Sequence, residues 1–253
     1  MTSLRKALTL VDYLGENAQR HPVRLVDIVR GTGISKPTAH RLLRELQDYG
    51  LVHQEPGSGY RIGPKALVLA AQYRGAADLQ REALPLMREL AARTGANIHL
   101  GMRDGLSAVY VEKIDSPHAI RLASRVGQRA PLHCTAMGKV ILAFSREDLL
   151  AELATLPLER RTPGTRTSVA ALRPEIEAIR ERGFAVDEEE NEPGVRCVAA
   201  PIFDHAGELA ATMSISGTLE QVDREQVESL GELARQHCRR LTRMLGGGTP
   251  ADD

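Results

Sequence analysis

Gly31-Thr32-Gly33-Ile34-Ser35-Lys36-Pro37-Thr38-Ala39-His40-Arg41-Leu42-Leu43-Arg44-Glu45-Leu46 is the stretch on which the fold turns. Ala39, Leu42, Leu43 and Leu46 fall at i, i+3, i+4 and i+7, so they form one apolar face of a helix. At about 100° per residue, Pro37, Arg41, Arg44 and Asp48 point away from that face, with Lys36 and His40 on its flank. Ser35 stands where it can cap the helix, and Pro37 is tolerated in a first turn whose N–H groups have no internal partner. The glycines before it mark a tight turn.

Upstream, Leu25, Ile28 and Val29 predict a short helix that starts poorly, because Arg24 occupies the capping position. Before that, Leu4, Ala7, Leu8, Val11 and Leu14 recur at helical spacing until Gly15 and Asn17. Downstream, Leu51-Val52-His53 reads as a strand, Glu55-Pro56-Gly57-Ser58-Gly59 as a turn and Tyr60-Arg61-Ile62 as a returning strand. Three helices with a Gly-containing turn and a trailing hairpin describe a winged helix-turn-helix. Arg41 and Arg44 would enter a DNA major groove, and Arg61 would reach a phosphate or the minor groove. A three-helix interaction module with a merely solvated Arg face remains the alternative, since Arg44 has Asp48 at i+4 as a ready partner. Gly31-Thr32-Gly33 also begins like a dinucleotide fingerprint, but Lys36 stands at its sixth position and no strand precedes it.

Over the whole chain of 253 residues, 33 Lys and Arg balance 33 Asp and Glu. The balance hides a split. Through Gly75 there are eleven cations and six anions, which leaves 22 cations against 27 anions for the remainder. Such asymmetry fits two domains of which one meets a polyanion. The composition, 42% hydrophobic and 26% charged, is that of a globular protein, and no apolar run approaches a membrane span. Met1 to Leu10 lacks the pattern of a secretory signal, so a cytoplasmic location is expected. Cys134, Cys197 and Cys238 are odd in number and far apart, which predicts reduced thiols rather than a disulfide framework or a metal knuckle.

Beyond the wing, 65–73 predicts a linking helix, and Leu79, Ala83, Leu86, Met87 and Leu90 a second, stopped by Gly95. Ile98, Leu100 and Met102, then Val109 and Val111, alternate around Arg103-Asp104-Gly105 as a hairpin. Further strands are expected at 120–126, 184–187, 198–203 and 209–216, the last two joined across Asp204-His205-Ala206-Gly207, and a final helix carries Val227, Leu230, Ala234, Leu241 and Leu245 inward. Hairpins with helices at the ends imply an α+β domain around an antiparallel sheet. Enzyme signatures are missing. Gly138-Lys139 lacks the flanking residues of a phosphate loop, no Gly-x-Ser-x-Gly occurs, and His133 and Cys134 would diverge on an extended strand. Aromatic residues, at 3%, are too few for a single-strand stacking platform.

These residues resemble the bacterial IclR-type transcriptional regulators. Gly33 to Leu43 with Leu46 and Gly50-Leu51-Val52 is similar to the family's recognition helix and wing start. Gly127 to Ala143, containing Leu132-His133-Cys134-Thr135-Ala136-Met137-Gly138-Lys139, is a second and more specific match. Asp187 to Glu190, Pro193 to Phe203 and Ser214-Ile215-Ser216-Gly217 form a third, in family order across nearly the whole chain. Pro37 departs from a common Ser, and Thr218 from a common Pro.

The resemblance implies a winged helix-turn-helix at 1–64, a linker helix at 65–77, a GAF-like effector-binding domain at 78–245 and a flexible tail at 246–253. It implies double-stranded operator DNA contacted by Ser35, Lys36, Pro37, Thr38, His40, Arg41, Arg44 and Arg61. It implies a small-molecule effector held among Thr135, Ala136, Met137, Asp187, Cys197, Ser214 and Ser216, with Asp187 near the mouth. A homodimer or homotetramer without cofactor, metal, catalytic residue or membrane partner is expected. The residues alone leave open a solvated acidic edge for Asp187 to Glu190, an inert thiol for Cys197 and simple packing for Met137. An enzyme with an appended DNA-binding domain, or an architectural DNA-binding protein without ligand, are the competing classes.

Overall fold

The computed structural model describes residues 1–18, 21–55, 57, 59–72, 74–115 and 124–247, leaving aside the side chains of 70–78, and divides into two units, Met1–Ala77 and Asp78–Asp253. In the first unit, α1 (Ser3–Asn17), α2 (Leu25–Thr32) and α3 (Lys36–Asp48) precede a hairpin of β1 (Val52–Glu55) and β2 (Gly59–Ile62), followed by α4 (Lys65–Gln72). Leu10 and Leu14 of α1, Ile28 of α2 and Ala39, Leu42 and Leu43 of α3 are buried together with Val52 and Tyr60. Each such leucine contributes about 1.5–3 kcal/mol relative to exposure. The turn between α2 and α3 depends on Gly33, whose φ of 66° is the left-handed conformation that closes a helix end.

Ser35 occupies the N-cap of α3 but does not cap it through its side chain; its hydroxyl instead meets that of Thr38 at 2.9 Å. The wing pairs Val52 with Ile62 and Glu55 with Gly59, while Val23 adds a two-way backbone bridge to Tyr60 at 2.8 Å. Of the expected wing turn, residues 56 and 58 lie outside the described residues, as does residue 73 of the expected linking helix.

The second unit begins on α5 (Arg74–Thr94), which carries the expected apolar stripe and ends at Gly95 with φ 65°. There follow β3 (Asn97–Asp104), β4 (Ser107–Ile114), β5 (Arg129–Pro131), α6 (Ala136–Phe144), α7 (Leu149–Leu153), α8 (Val169–Arg182), β6 (Ala185–Glu188), β7 (Val195–Phe203), β8 (Leu209–Thr218), a 3-10 turn and α9 (Val227–Met244). Among the described residues the strands form one antiparallel sheet in the order β5-β4-β3-β8-β7-β6. Its faces differ because strand side chains alternate. Ile98, Leu100, Met213 and Ile215 face a core with Leu86, Met87 and Leu90 of α5 and Ala234, Cys238 and Leu241 of α9. The other face is covered by Met137, Val140 and Ile141 of α6 and by Leu172, Ile176 and Ile179 of α8.

Two expectations are corrected. The strand foreseen at 120–126 is not formed at 124–126, which run as coil and turn, and residues 120–123 lie outside the described residues. His133 and Cys134 lie in a turn rather than on a strand, because the chain leaves β5 directly into the cap of α6.

Candidate functional site

Ser35 at the N-cap and Lys36, Pro37, His40, Arg41 and Arg44 on α3 are exposed and Thr38 is half-buried, since burial of Ala39, Leu42 and Leu43 forces the remaining helix positions outward. Arg41 pairs with Glu45 one turn on, Nη1 to Oε1 at 2.6 Å, with both side chains more than half exposed. Pairs of this kind are worth about 0.3–0.5 kcal/mol, so a phosphate or base edge can displace the carboxylate at little cost. Arg44 does not pair with Asp48. The side chains of Lys36, His40 and Arg44 make no hydrogen bond or ion pair among the described residues. On the wing, Arg61 forms an ion pair with Glu55 across the hairpin.

The second unit contains a cavity of about 110 Å³ beneath the N-terminus of α6. Thr135, Ala136, Met137, Asp187, Cys197, Ser214 and Ser216 all line it. Sheet register explains the convergence. Asp187 pairs with Cys197, Cys197 with Ser216 and Ser216 with Asn97, one row across four strands; Ala199, Ser214 and His99 form the next. Directly opposed residues share a face. Above them, Thr135 caps α6 by accepting from the Gly138 N–H at 3.0 Å while donating to the Pro131 carbonyl at 2.7 Å. The N–H groups of Ala136 and Met137 belong to a first turn that offers them no helical acceptor, and both residues line the cavity. Gly138 permits this seat, because a Cβ there would lie 2.4 Å from the Leu132 Cα.

Asp187 is not at a solvated mouth: its residue is 2% exposed, and its Oδ1 accepts from the Glu190 N–H at 2.7 Å and the Asn191 N–H at 3.3 Å. Burial pushes its carboxyl up to about 7, against those hydrogen bonds and the nearby Lys139. The acidic run is likewise no surface edge at its far end, where Glu190 is buried. Glu190 Oε1 lies 2.5 Å from Lys139 Nζ, Glu190 Oε2 lies 2.7 Å from Arg166, and Glu175 stands 3.8 Å from the same lysine. Lys139, fully buried on α6, therefore ties the helix to the turn after β6 that carries Glu190 and Asn191.

Residues without a sequence signal complete the wall. His99 is buried and held neutral, its pKa pushed down to about 3 by desolvation and then by Lys113; one ring nitrogen lies 2.8 Å from the Ser124 hydroxyl, the other 3.5 Å from that of Ser214. The Tyr110 ring leans on His99 at 5.1 Å between centroids, and its phenol is raised by burial. Arg161 enters from a loop fastened by Thr162 Oγ1 to the Glu189 carbonyl at 2.7 Å and by Thr165 Oγ1 to the Glu190 carbonyl at 2.6 Å. These contacts span 25 to 27 residues, which local spacing cannot reveal.

Covalent chemistry finds no support in this geometry. Burial raises the thiol of Cys134 to about 12 and that of Cys197 further still, so both stay protonated at neutral pH. His133 is engaged with the Glu159 carbonyl at 2.9 Å, and Cys134 with Asn191 at 3.8 Å, so they form no nucleophile and base pair. Among the described residues no group of His, Cys, Asp and Glu is placed to hold a metal, and no helix is long and apolar enough to cross a membrane.

Comparison with known proteins matches residues 3–56 to the IclR helix-turn-helix domain and residues 71–243 to the bacterial transcriptional regulator IclR C-terminal domain. The HTH-type transcriptional regulator XynR of Escherichia coli K12 is 38% identical over 246 residues, 96% of this chain and 97% of its own. An IclR-type regulator from Silicibacter sp. TM1040 has a crystal structure that superposes with a TM-score of 0.82 at 30% identity, over 99% of both chains. An IclR homologue from Microbacterium hydrocarbonoxydans, solved with 4-hydroxybenzoate, superposes with a TM-score of 0.81 at 25% identity, over 96% of this chain and 100% of that one.

Proposed function

The chain belongs to the IclR family of bacterial transcriptional regulators, and from that premise we propose that the cavity of its second unit binds a small organic acid which sets its affinity for operator DNA. The observation that carries the ligand class is the meeting of a helix N-terminus with uncharged donors. The free N–H groups of Ala136 and Met137 favour a carboxylate, and Ser214, Ser216 and neutral His99 offer hydrogen bonds to its other end. The relative that holds 4-hydroxybenzoate makes an aromatic acid a fitting first probe.

The division of labour is 1–64 for DNA, 65–77 as linker, 78–245 for the effector and 246–253 as tail. Thr135, Ala136, Met137, Asp187, Cys197, Ser214 and Ser216 form the ligand site. Ser35, Lys36, Pro37, Thr38, His40, Arg41, Arg44 and Arg61 face DNA, with Arg41 reading a base and Lys36, Arg44 and Arg61 neutralising phosphates. One reading head makes few base contacts, so the protein acts in the cytoplasm as a homodimer or homotetramer on half-sites about 10 base pairs, or a multiple, apart. It performs no catalysis.

Fluorescence anisotropy against the DNA upstream of its own gene tests the interface. Arg41→Ala should weaken binding by about 1–3 kcal/mol and relax preference at one base pair, whereas Lys36→Ala should weaken all sequences alike and reduce the salt slope by about one. Wild-type binding by both variants would refute the docking. Calorimetry of Ser214→Ala/Ser216→Ala against benzoate and 4-hydroxybenzoate tests the cavity, and unchanged affinity for both would refute it.

A further inference from the structure

Met137 lines the cavity, and its side chain lies on a residue that has none. A Cβ built on Gly101 would stand 2.9 Å from the Met137 sulfur and 3.3 Å from its methyl carbon. Gly101 of β3 pairs directly with Thr212 of β8, so Thr212 projects from the same sheet face, opposite the residue that the thioether covers. Strand parity puts Thr212 on the face of Ser214 and Ser216, making a row of three hydroxyls. Two of them have partners: Ser214 and Ser216 lie 3.3 Å apart, and Ser214 lies 3.5 Å from His99. Thr212 is fully buried, and its Oγ1 has no hydrogen-bond partner among the described residues. Buried hydroxyls are paired as a rule, because desolvation otherwise goes uncompensated.

We infer that Met137 is a plug over an extension of the cavity, floored by Gly101 and ended by the Thr212 hydroxyl, that admits the polar far end of an elongated acid such as a para-hydroxylated benzoate. The inference rests on the cavity being the effector site. An acid held at the N–H groups of Ala136 and Met137 starts beside the Met137 side chain itself. A short acid is satisfied by Ser214 and Ser216 with the plug in place. A longer one needs the thioether to rotate away, which three rotatable bonds allow, and the missing Cβ of Gly101 then leaves its path open. Thr212 supplies the partner for the distal hydroxyl, and the ligand supplies the partner that Thr212 lacks.

Calorimetry on the full chain with propionate, benzoate and 4-hydroxybenzoate tests the plug, the last two differing only in the distal hydroxyl. Met137→Ala should raise the preference for 4-hydroxybenzoate over benzoate by about tenfold or more. Adding Thr212→Val should abolish that gain without weakening benzoate, and Thr212→Ser in its place should retain it. Gly101→Ala, whose methyl drives the thioether into the cavity, should weaken both aromatic acids while the chain keeps its cooperative melt. An unchanged preference in Met137→Ala, or a gain that survives Thr212→Val, overturns the plug. If propionate binds the wild type normally in that case, the cavity reading stands and the plug alone is wrong. If none of the three acids binds any of the proteins, the cavity reading falls and the plug with it.

Discussion

Asp187→Asn isolates the electrostatic cost of the cavity wall. Asparagine keeps the shape of the side chain and one oxygen to accept from the Glu190 and Asn191 N–H groups, but it cannot ionise. In the native state burial raises the Asp187 carboxyl from 3.8 to about 7. An unfolded chain releases that proton near 3.8, so between the two values the native state binds the extra proton and stability falls as pH rises. Above pH 7 the full gap of about three units weighs against the native state, roughly 4 kcal/mol at 1.36 kcal/mol per unit. At pH 5 only about 1.5 kcal/mol of it has developed, and at pH 8 nearly all. The stability of the variant relative to wild type should therefore improve by about 2.5 kcal/mol from pH 5 to pH 8. Urea unfolding of both proteins at each pH gives the difference, in which the titration of all shared groups cancels. A difference that stays flat would mean that Asp187 ionises at its ordinary value and that its burial is electrostatically relieved. The same carboxylate repels an anionic ligand once it ionises. Benzoate affinity in the wild type should fall as pH rises past 7, and in Asp187→Asn it should not.

Lys139→Met should cost about 3 kcal/mol, at the low end for a broken buried pair because Arg166 still faces Glu190 at 2.7 Å. Combined with Glu190→Gln, it should cost less than the two single changes together; thermal unfolding of the four proteins measures the coupling, and strict additivity would remove the pair from the account of this fold. Gly138→Ala places a methyl 2.4 Å from the Leu132 Cα, so the first turn of α6 must move. A lowered melting temperature with weakened benzoate binding is expected, and wild-type values in both assays would show that the seat of α6 is not tight.

What local pattern could carry was legible. The apolar positions of α3 and the glycine that ends α2 lie within one stretch of chain, and Ser214 and Ser216 share a face by strand parity alone. What required distant partners was not. His99 joins the cavity only because β3 pairs with β8, and Arg161 only because Thr162 and Thr165 fasten their loop to the turn after β6. The run Asp187 to Glu190 left a solvated edge open as a reading. The structure buries two of its four residues: Asp187 lies on β6 opposite Cys197, and Glu190 follows the left-handed Glu189, at φ 53°, to meet Lys139, 51 residues away in sequence. Lys139, tested as a phosphate-loop lysine and set aside, proves to be structural for the same reason.

The zero net charge gains meaning from pairing rather than counting. In the second unit, several cations are held in buried or half-buried ion pairs: Lys139 by Glu190, Arg182 by Glu175 and Arg196 by Glu188. A charge engaged in this way projects little field outward. On α3 of the first unit, Lys36 and Arg44 stand exposed without a carboxylate partner among the described residues, and Arg41 is held only by a solvent-screened pair. The apolar side of that helix thus turns three cations outward, none of them held by a buried carboxylate. Neutralising phosphates there displaces no buried partner, so attraction to DNA is nearly free of internal cost, and it weakens with salt as counterion release requires.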